Sequence, residues 1–147
     1  MQIKKVKITG EEKIRIEFLQ DEDEFSLVCS DNPAPSFFEA LKGLVKYVVE
    51  MCELPDDYLD RISVKGVTFS YSGKEETMGA TIIAQMKLFR SNVNLNLNTP
   101  HKTEGSYSGT EADLKQLLPE GCVEALGDVI EAAADYIEGK RAQLGLF

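Results

Sequence analysis

Lys13-Ile14-Arg15-Ile16-Glu17-Phe18 decides the fold class. Charged and apolar side chains alternate through it without a break, the period of a β-strand with one dry face and one wet face. Upstream, Val6 and Ile8 alternate with lysines, and Thr9-Gly10-Glu11-Glu12 supplies a turn. Downstream, Gln20 to Glu24 forms an acidic turn, and Phe25, Leu27 and Cys29 continue the period of two. The first thirty or so residues therefore predict a three-strand meander.

The period then changes. Asp31-Asn32-Pro33-Ala34-Pro35 is a rigid, non-helical lead-in, and Ser36 with Glu39 has the spacing of a capping box. Phe37, Leu41, Leu44, Val45, Val48 and Cys52 recur at threes and fours, which predicts one helix with an apolar stripe. Pro55-Asp56-Asp57 is expected to end it.

A second run of strands follows. Ile62 and Val64 alternate in one phase and Val67, Phe69 and Tyr71 in the other, so a β-bulge is expected at Gly66. Ser72-Gly73-Lys74-Glu75 turns the chain into a long strand through Ala80, Ile82, Ala84, Met86 and Leu88. Past a turn at Arg90-Ser91-Asn92, Val93, Leu95 and Leu97 alternate with Asn92, Asn94, Asn96 and Asn98. The asparagine face must be exposed or hydrogen-bonded across the sheet. Thr99 to Thr110 reads as a loop, Glu111 to Leu118 as a short helix, and Pro119 as the first residue of a longer helix. Val123, Leu126, Ile130, Ala133 and Ile137 line one face of that helix, and Gly139 stands where its C-cap belongs. The order βββ-α-βββ-α predicts an α+β fold, with an antiparallel sheet of about six strands and two main helices on one face. Two strand triplets, each followed by a helix, raise the question of an internal duplication.

Composition bounds the function. A chain of 147 residues is one domain of ordinary size, and 43% apolar with 28% charged residues is globular usage. Cys29, Cys52 and Cys122 are an odd number at wide spacing, neither a disulfide framework nor a zinc motif, and are expected as reduced core residues. The alternating N-terminus is unlike a secretory signal, and no apolar run is long enough to span a membrane. The expected location is the cytoplasm, with no membrane partner. The net charge of −9 argues against direct nucleic-acid binding, which depends on Lys and Arg at phosphates. It serves solubility or imitates the charge of DNA.

Nothing in the motifs points to an enzyme. His101 is the only histidine and reads as a loop residue, so no two-imidazole metal site and no pair of histidines is possible within one chain. Asp21-Glu22-Asp23-Glu24 lacks calcium-loop spacing, and Gly105-Ser106-Tyr107-Ser108-Gly109 lacks the ending of a phosphate loop. No catalytic residue, metal or cofactor is expected. An enzyme built on carboxylates alone would need several acids converging in a concave pocket.

The expected division is a single α+β domain over residues 1–139 and a flexible docking tail over residues 140–147. The tail ends Gln143-Leu144-Gly145-Leu146-Phe147. These five residues resemble the motif by which polymerases, mismatch-repair proteins and clamp-loading factors bind the bacterial DNA sliding clamp, usually Gln-Leu-Ser/Asp-Leu-Phe. The resemblance implies that Leu146 and Phe147 fill an apolar pocket on the clamp, Leu144 a neighbouring subsite, and that Gln143 fixes the register. Gly145 departs from the usual Ser or Asp and adds ordering entropy on binding. The alternative is a C-terminal staple in which Leu144, Leu146 and Phe147 pack on the chain's own sheet, leaving an interaction module unrelated to replication. The segments Leu54-Pro55-Asp56-Asp57-Tyr58-Leu59-Asp60-Arg61-Ile62, Gly66-Val67-Thr68-Phe69-Ser70-Tyr71 and Leu97-Asn98-Thr99-Pro100-His101-Lys102 resemble small phage and prophage proteins with no assigned activity. That second resemblance implies a clamp partner in a phage replication or recombination module, either an accessory or a clamp inhibitor.

Overall fold

The structure is a computed structural model that describes residues 1–104 and 115–144, with side chains through residue 139. The α+β class holds. A seven-stranded sheet contains β1 (Gln2–Ile8), β2 (Ile14–Gln20), β3 (Asp23–Cys29), β4 (Ile62–Ser72), β5 (Thr77–Met86), β6 (Leu95–Asn98) and the two-residue β7 (Lys102–Thr103). The order is β3-β2-β1-β4-β5-β6, with β7 also on β5, and every strand pair is antiparallel. Two meanders thus stand back to back across the β1–β4 pair, the spatial counterpart of the repeated strand triplets. The helices are α1 (Pro35–Lys42), α2 (Val45–Met51) and α3 (Cys122–Leu144), with a 3₁₀ helix at Asp56–Arg61.

Alternation sets which face is dry. Val6, Ile14, Ile16, Phe18, Val67, Phe69, Ala80, Ile82 and Ala84 are buried toward the helices, which add Phe37, Leu41, Leu44, Val48, Leu126, Val129, Ala133 and Ile137. Burial of each large side chain contributes about 1.5–3 kcal/mol. The bulge at Gly66 is present: the β4–β5 register slips between Val64 and Gly66, so Lys65 is the extra residue. Gly66 lies against β1 so closely that a Cβ would run into the Val6 carbonyl oxygen and come within 2.9 Å of Lys7 Cα. The acidic turn is a two-residue hairpin loop. Asp21 and Glu22 have φ of 52° and 72°, a pair of positive φ angles that matches a type I′ turn built without glycine.

Several expected boundaries move. Pro35, not a residue after a Ser36 cap, opens α1: its fixed φ suits the first turn, Ala34 precedes it in an extended conformation, and no side chain caps the helix. The single stripe from Phe37 to Cys52 is two helices, broken where Gly43 N–H bonds Glu39 O and Leu44 N–H bonds Leu41 O, a tightened last turn. The break turns Tyr47, Val49 and Met51 inward beside Val48, while Val45 and Cys52 are only half-buried. Pro55-Asp56-Asp57 leads into a 3₁₀ turn rather than straight into strand. Strand β6 starts at Leu95; Val93 is left 74% exposed. In the region expected to be a short helix, Lys115 and Gln116 form a turn and Leu117 makes a parallel bridge to Thr103, while residues 111–114 and the rest of the loop from 105 lie outside the described residues. Pro119 precedes a turn, and α3 begins at Cys122. Gly139 does not cap α3, whose backbone continues to Leu144. No helix among the described residues is long and apolar enough to cross a membrane.

Candidate functional site

The end of α3 is held in place by a few specific contacts. Cys122, Leu126, Val129, Ala133 and Ile137 bury one face of the helix. Near its far end Tyr136 Oη donates to Asp31 O at 2.8 Å, and its ring lies 6.2 Å from that of Phe37. Burial and the neighbouring Cys29 push the Tyr136 hydroxyl well above its ordinary pKa. These contacts anchor α3 to the β3–α1 connection. Past Ile137 the surface opens, with Glu138 and Gly139 exposed. Gln143 and Leu144 therefore sit on helical backbone where a flexible tail was expected, and Gly145, Leu146 and Phe147 lie outside the described residues.

Two larger cavities meet at one end of the sheet. The first, about 550 Å³, lies under α1, with an apolar floor that includes Ile8, Ile14, Leu41 and Val45, and with Phe38 at its wall. Asn32 and Pro33 line it and also line a smaller cavity with Tyr136 and Gly139, which links it to the end of α3. The second, about 520 Å³, opens on the sheet face away from the helices and is lined by Lys7, Lys65, Ile83, Gln85, Asn96 and Asn98, among others. Ile8, Glu12 and Lys65 line both.

Charge is divided between the two layers. Lys5, Lys7 and Arg15 point to the open sheet face, because their neighbours Val6, Ile14 and Ile16 point into the core. Between α1 and α3 a groove gathers Glu39, Asp128, Glu131 and Asp135. A net charge of −9 therefore hides a cationic stretch on the sheet. Among the described residues the only ion pairs are Lys13–Glu11 at 3.4 Å and Arg15–Glu17 at 3.0 Å, so the acids leave Lys7 and Lys65 unpaired.

The asparagine face of β6 does bond across the sheet. Asn94 Nδ2 donates to Gln85 Oε1, and Gln85 Nε2 to Asn96 Oδ1, both at 3.4 Å. His101 is a connecting residue between β6 and β7, as expected, but it is docked on the open sheet face. Its Nε2 lies 2.8 Å from Ser70 Oγ and its Nδ1 2.9 Å from Thr81 Oγ1. Gly79 makes the seat, since a Cβ there would come within 2.6 Å of both His101 Nε2 and Ser70 Oγ. A serine on an imidazole is the start of a nucleophile–base pair. Here a hydroxyl stands where an orienting carboxylate would be needed, and neither residue lines the cavities above, so the cluster reads as a pin for the β6–β7 connection. Sequence reading missed it because its members lie on three different strands or links.

None of the three cysteines is in a disulfide. Cys122 is fully buried, and burial, with Glu50 adding, pushes its thiol up to about 12; burial also raises Cys52. These are poor nucleophiles at neutral pH. Among the described residues no three His, Cys, Asp or Glu side chains gather to hold a metal ion. No protein-family model, no curated protein and no solved structure matches the chain.

Proposed function

We propose that the chain docks on the bacterial DNA sliding clamp through Gln143-Leu144-Gly145-Leu146-Phe147 and carries its folded domain there without catalysing a reaction. The observation that carries this reading is where the core stops along α3. Ile137 is the last buried side chain among those described, and the helical backbone runs on to Leu144, about 10 Å further at 1.5 Å per residue. The peptide thus starts beyond the last side chain described as buried on α3. The last carbonyls of a helix have no intrahelical partner, so releasing Gln143 and Leu144 into an extended peptide costs little.

Leu146 and Phe147 would each contribute about 1.5–3 kcal/mol on entering an apolar pocket, and the amide of Gln143 both donates and accepts. Ordering the peptide, with Gly145 inside it, offsets part of that gain and sets the affinity on the order of micromolar. The test is binding of purified clamp to the full chain and to Leu146→Ala/Phe147→Ala. Removing both side chains should weaken binding by about a hundredfold or more. Equal binding by the two proteins, or none by the parent chain, would discard the reading.

A second reading, an interaction module whose tail packs on its own sheet, draws on the cavity linked to the end of α3, whose apolar floor includes the strand residues Ile8 and Ile14. Deleting residues 143–147 separates the two. Lost clamp binding with an unchanged melting temperature supports docking, and a drop of several degrees supports the staple.

A further inference from the structure

We propose that the cavity on the open sheet face, lined by Lys7, Lys65, Ile83, Gln85, Asn96 and Asn98, binds a phosphorylated small molecule of nucleotide size. Three features converge on it, none of them involving the peptide at the end of α3.

The first is charge. Lys7 stands opposite Gly66 in the β1–β4 pair, and the bulge inserts Lys65 immediately beside that position. Bulges re-aim side chains out of simple alternation, and this one brings a second lysine to the rim where Lys7 already stands. Like charges side by side on neighbouring strands repel. Yet among the described residues neither lysine makes an ion pair or hydrogen bond, in a chain with 25 acidic residues. A dianion between them would relieve the repulsion and accept from both ammonium groups.

The second is the polarity of the amide ladder. The hydrogen bonds run Asn94 to Gln85 to Asn96 in one direction, each amide nitrogen donating to the next oxygen. The ladder ends with Asn96 Oδ1 engaged and its NH₂ unengaged among the described residues, which leaves a donor group on a residue of the cavity lining. Asn98 lines the same wall with no side-chain partner there. Donors from Lys7, Lys65 and Asn96 outnumber the one carboxylate of the lining, Glu12, and favour an acceptor-rich ligand.

The third is size and an apolar spot. About 520 Å³ is within the range of small-molecule sites. Ile83, which pairs with Gly66 on one side and Asn98 on the other, lines it between the lysines and the amides and offers a surface for a flat ring. A nucleoside phosphate combines the required parts: a multiply charged phosphate for Lys7 and Lys65, a ring for Ile83, and edge groups for Gln85, Asn96 and Asn98.

The test uses the full chain, ¹⁵N-labelled and titrated with ADP, with calorimetry in parallel. Amide shifts should be confined to the segments around Lys7, Lys65, Ile83–Gln85 and Asn96–Asn98. Lys7→Gln/Lys65→Gln should weaken ADP binding about tenfold or more, and Lys5→Gln, on the same face outside the cavity lining, should change it less than about twofold. The titration of the unaltered chain keeps the proposal testable even if the double variant fails to fold. Shifts elsewhere or no shifts at millimolar ADP would overturn it, as would undiminished binding by a folded double variant. Inorganic pyrophosphate binding as tightly as ADP would overturn the nucleotide-sized ligand, and so would an oligothymidylate that binds where ADP does not.

Discussion

Replacing Gly66 with alanine tests the central joint of the sheet. The added Cβ would meet the Val6 carbonyl oxygen and lie 2.9 Å from Lys7 Cα, so the obstruction is backbone of the neighbouring strand and not a side chain able to rotate away. Relief requires β1 and β4 to part, which strains the pair that joins the two meanders. Overpacking typically costs about 1–3 kcal/mol, and a rigid obstacle puts Gly66→Ala at about 3 kcal/mol. For a chain of this size each kcal/mol moves the melting temperature by about 2–4 °C, so a fall of about 6–12 °C is expected. Urea unfolding followed by far-UV circular dichroism should show a lower midpoint at unchanged slope. Gly127→Ala is the control: it lies within α3, nothing is within 4 Å of its added Cβ, and it should stabilise by about 1 kcal/mol. If Gly66→Ala comes within about 0.5 kcal/mol of the parent, the close approach of β1 and β4 is wrong.

Three further outcomes follow from the same structure. Glu22→Gly places the residue with least left-handed strain in the β2–β3 loop and should stabilise by about 1 kcal/mol, read by urea midpoint. Tyr136→Phe removes the hydrogen bond to Asp31 O and should cost about 1 kcal/mol, with earlier hydrogen exchange in the second half of α3. Above pH 9 the unfolded Cys122 thiol ionises while the folded one stays protonated to about 12, so the unfolded state binds fewer protons and stability falls as pH rises through that window. The slope is at most about 1.4 kcal/mol per pH unit for this group, and Cys122→Ala should flatten its share, leaving the alkaline loss from Tyr71 and Tyr136.

What could be read from sequence was the short-range pattern. Ile14-Arg15-Ile16, the phase change at Gly66 and the Asn-Leu alternation are decided by neighbours within a few residues, and the structure places strands, bulge and amide ladder accordingly. Helix ends were harder, because capping by Ser36 and first-turn placement of Pro35 compete for the same backbone positions, and the proline's fixed φ prevails. The break at Gly43-Leu44 was hidden since threes and fours persist across it. Gly139 invited a C-cap, but one glycine in a helix costs only about 1 kcal/mol against alanine and does not compel a stop. The cationic cavity was invisible for a different reason. Net charge sums over the whole surface, and only the register of β1 against β4 brings Lys7 and Lys65 together.

The central place of β1 also has a consequence for how the chain is made. Its first partner, β2, leaves the ribosome almost at once, but its second, β4, follows only after both short helices have been synthesised. Until then one long side of β1 has its amide and carbonyl groups open, between two meanders that cannot yet meet. That interval is the point in biogenesis when the nascent protein is most exposed to pairing with a neighbouring polypeptide, and when a chaperone would gain most by holding it.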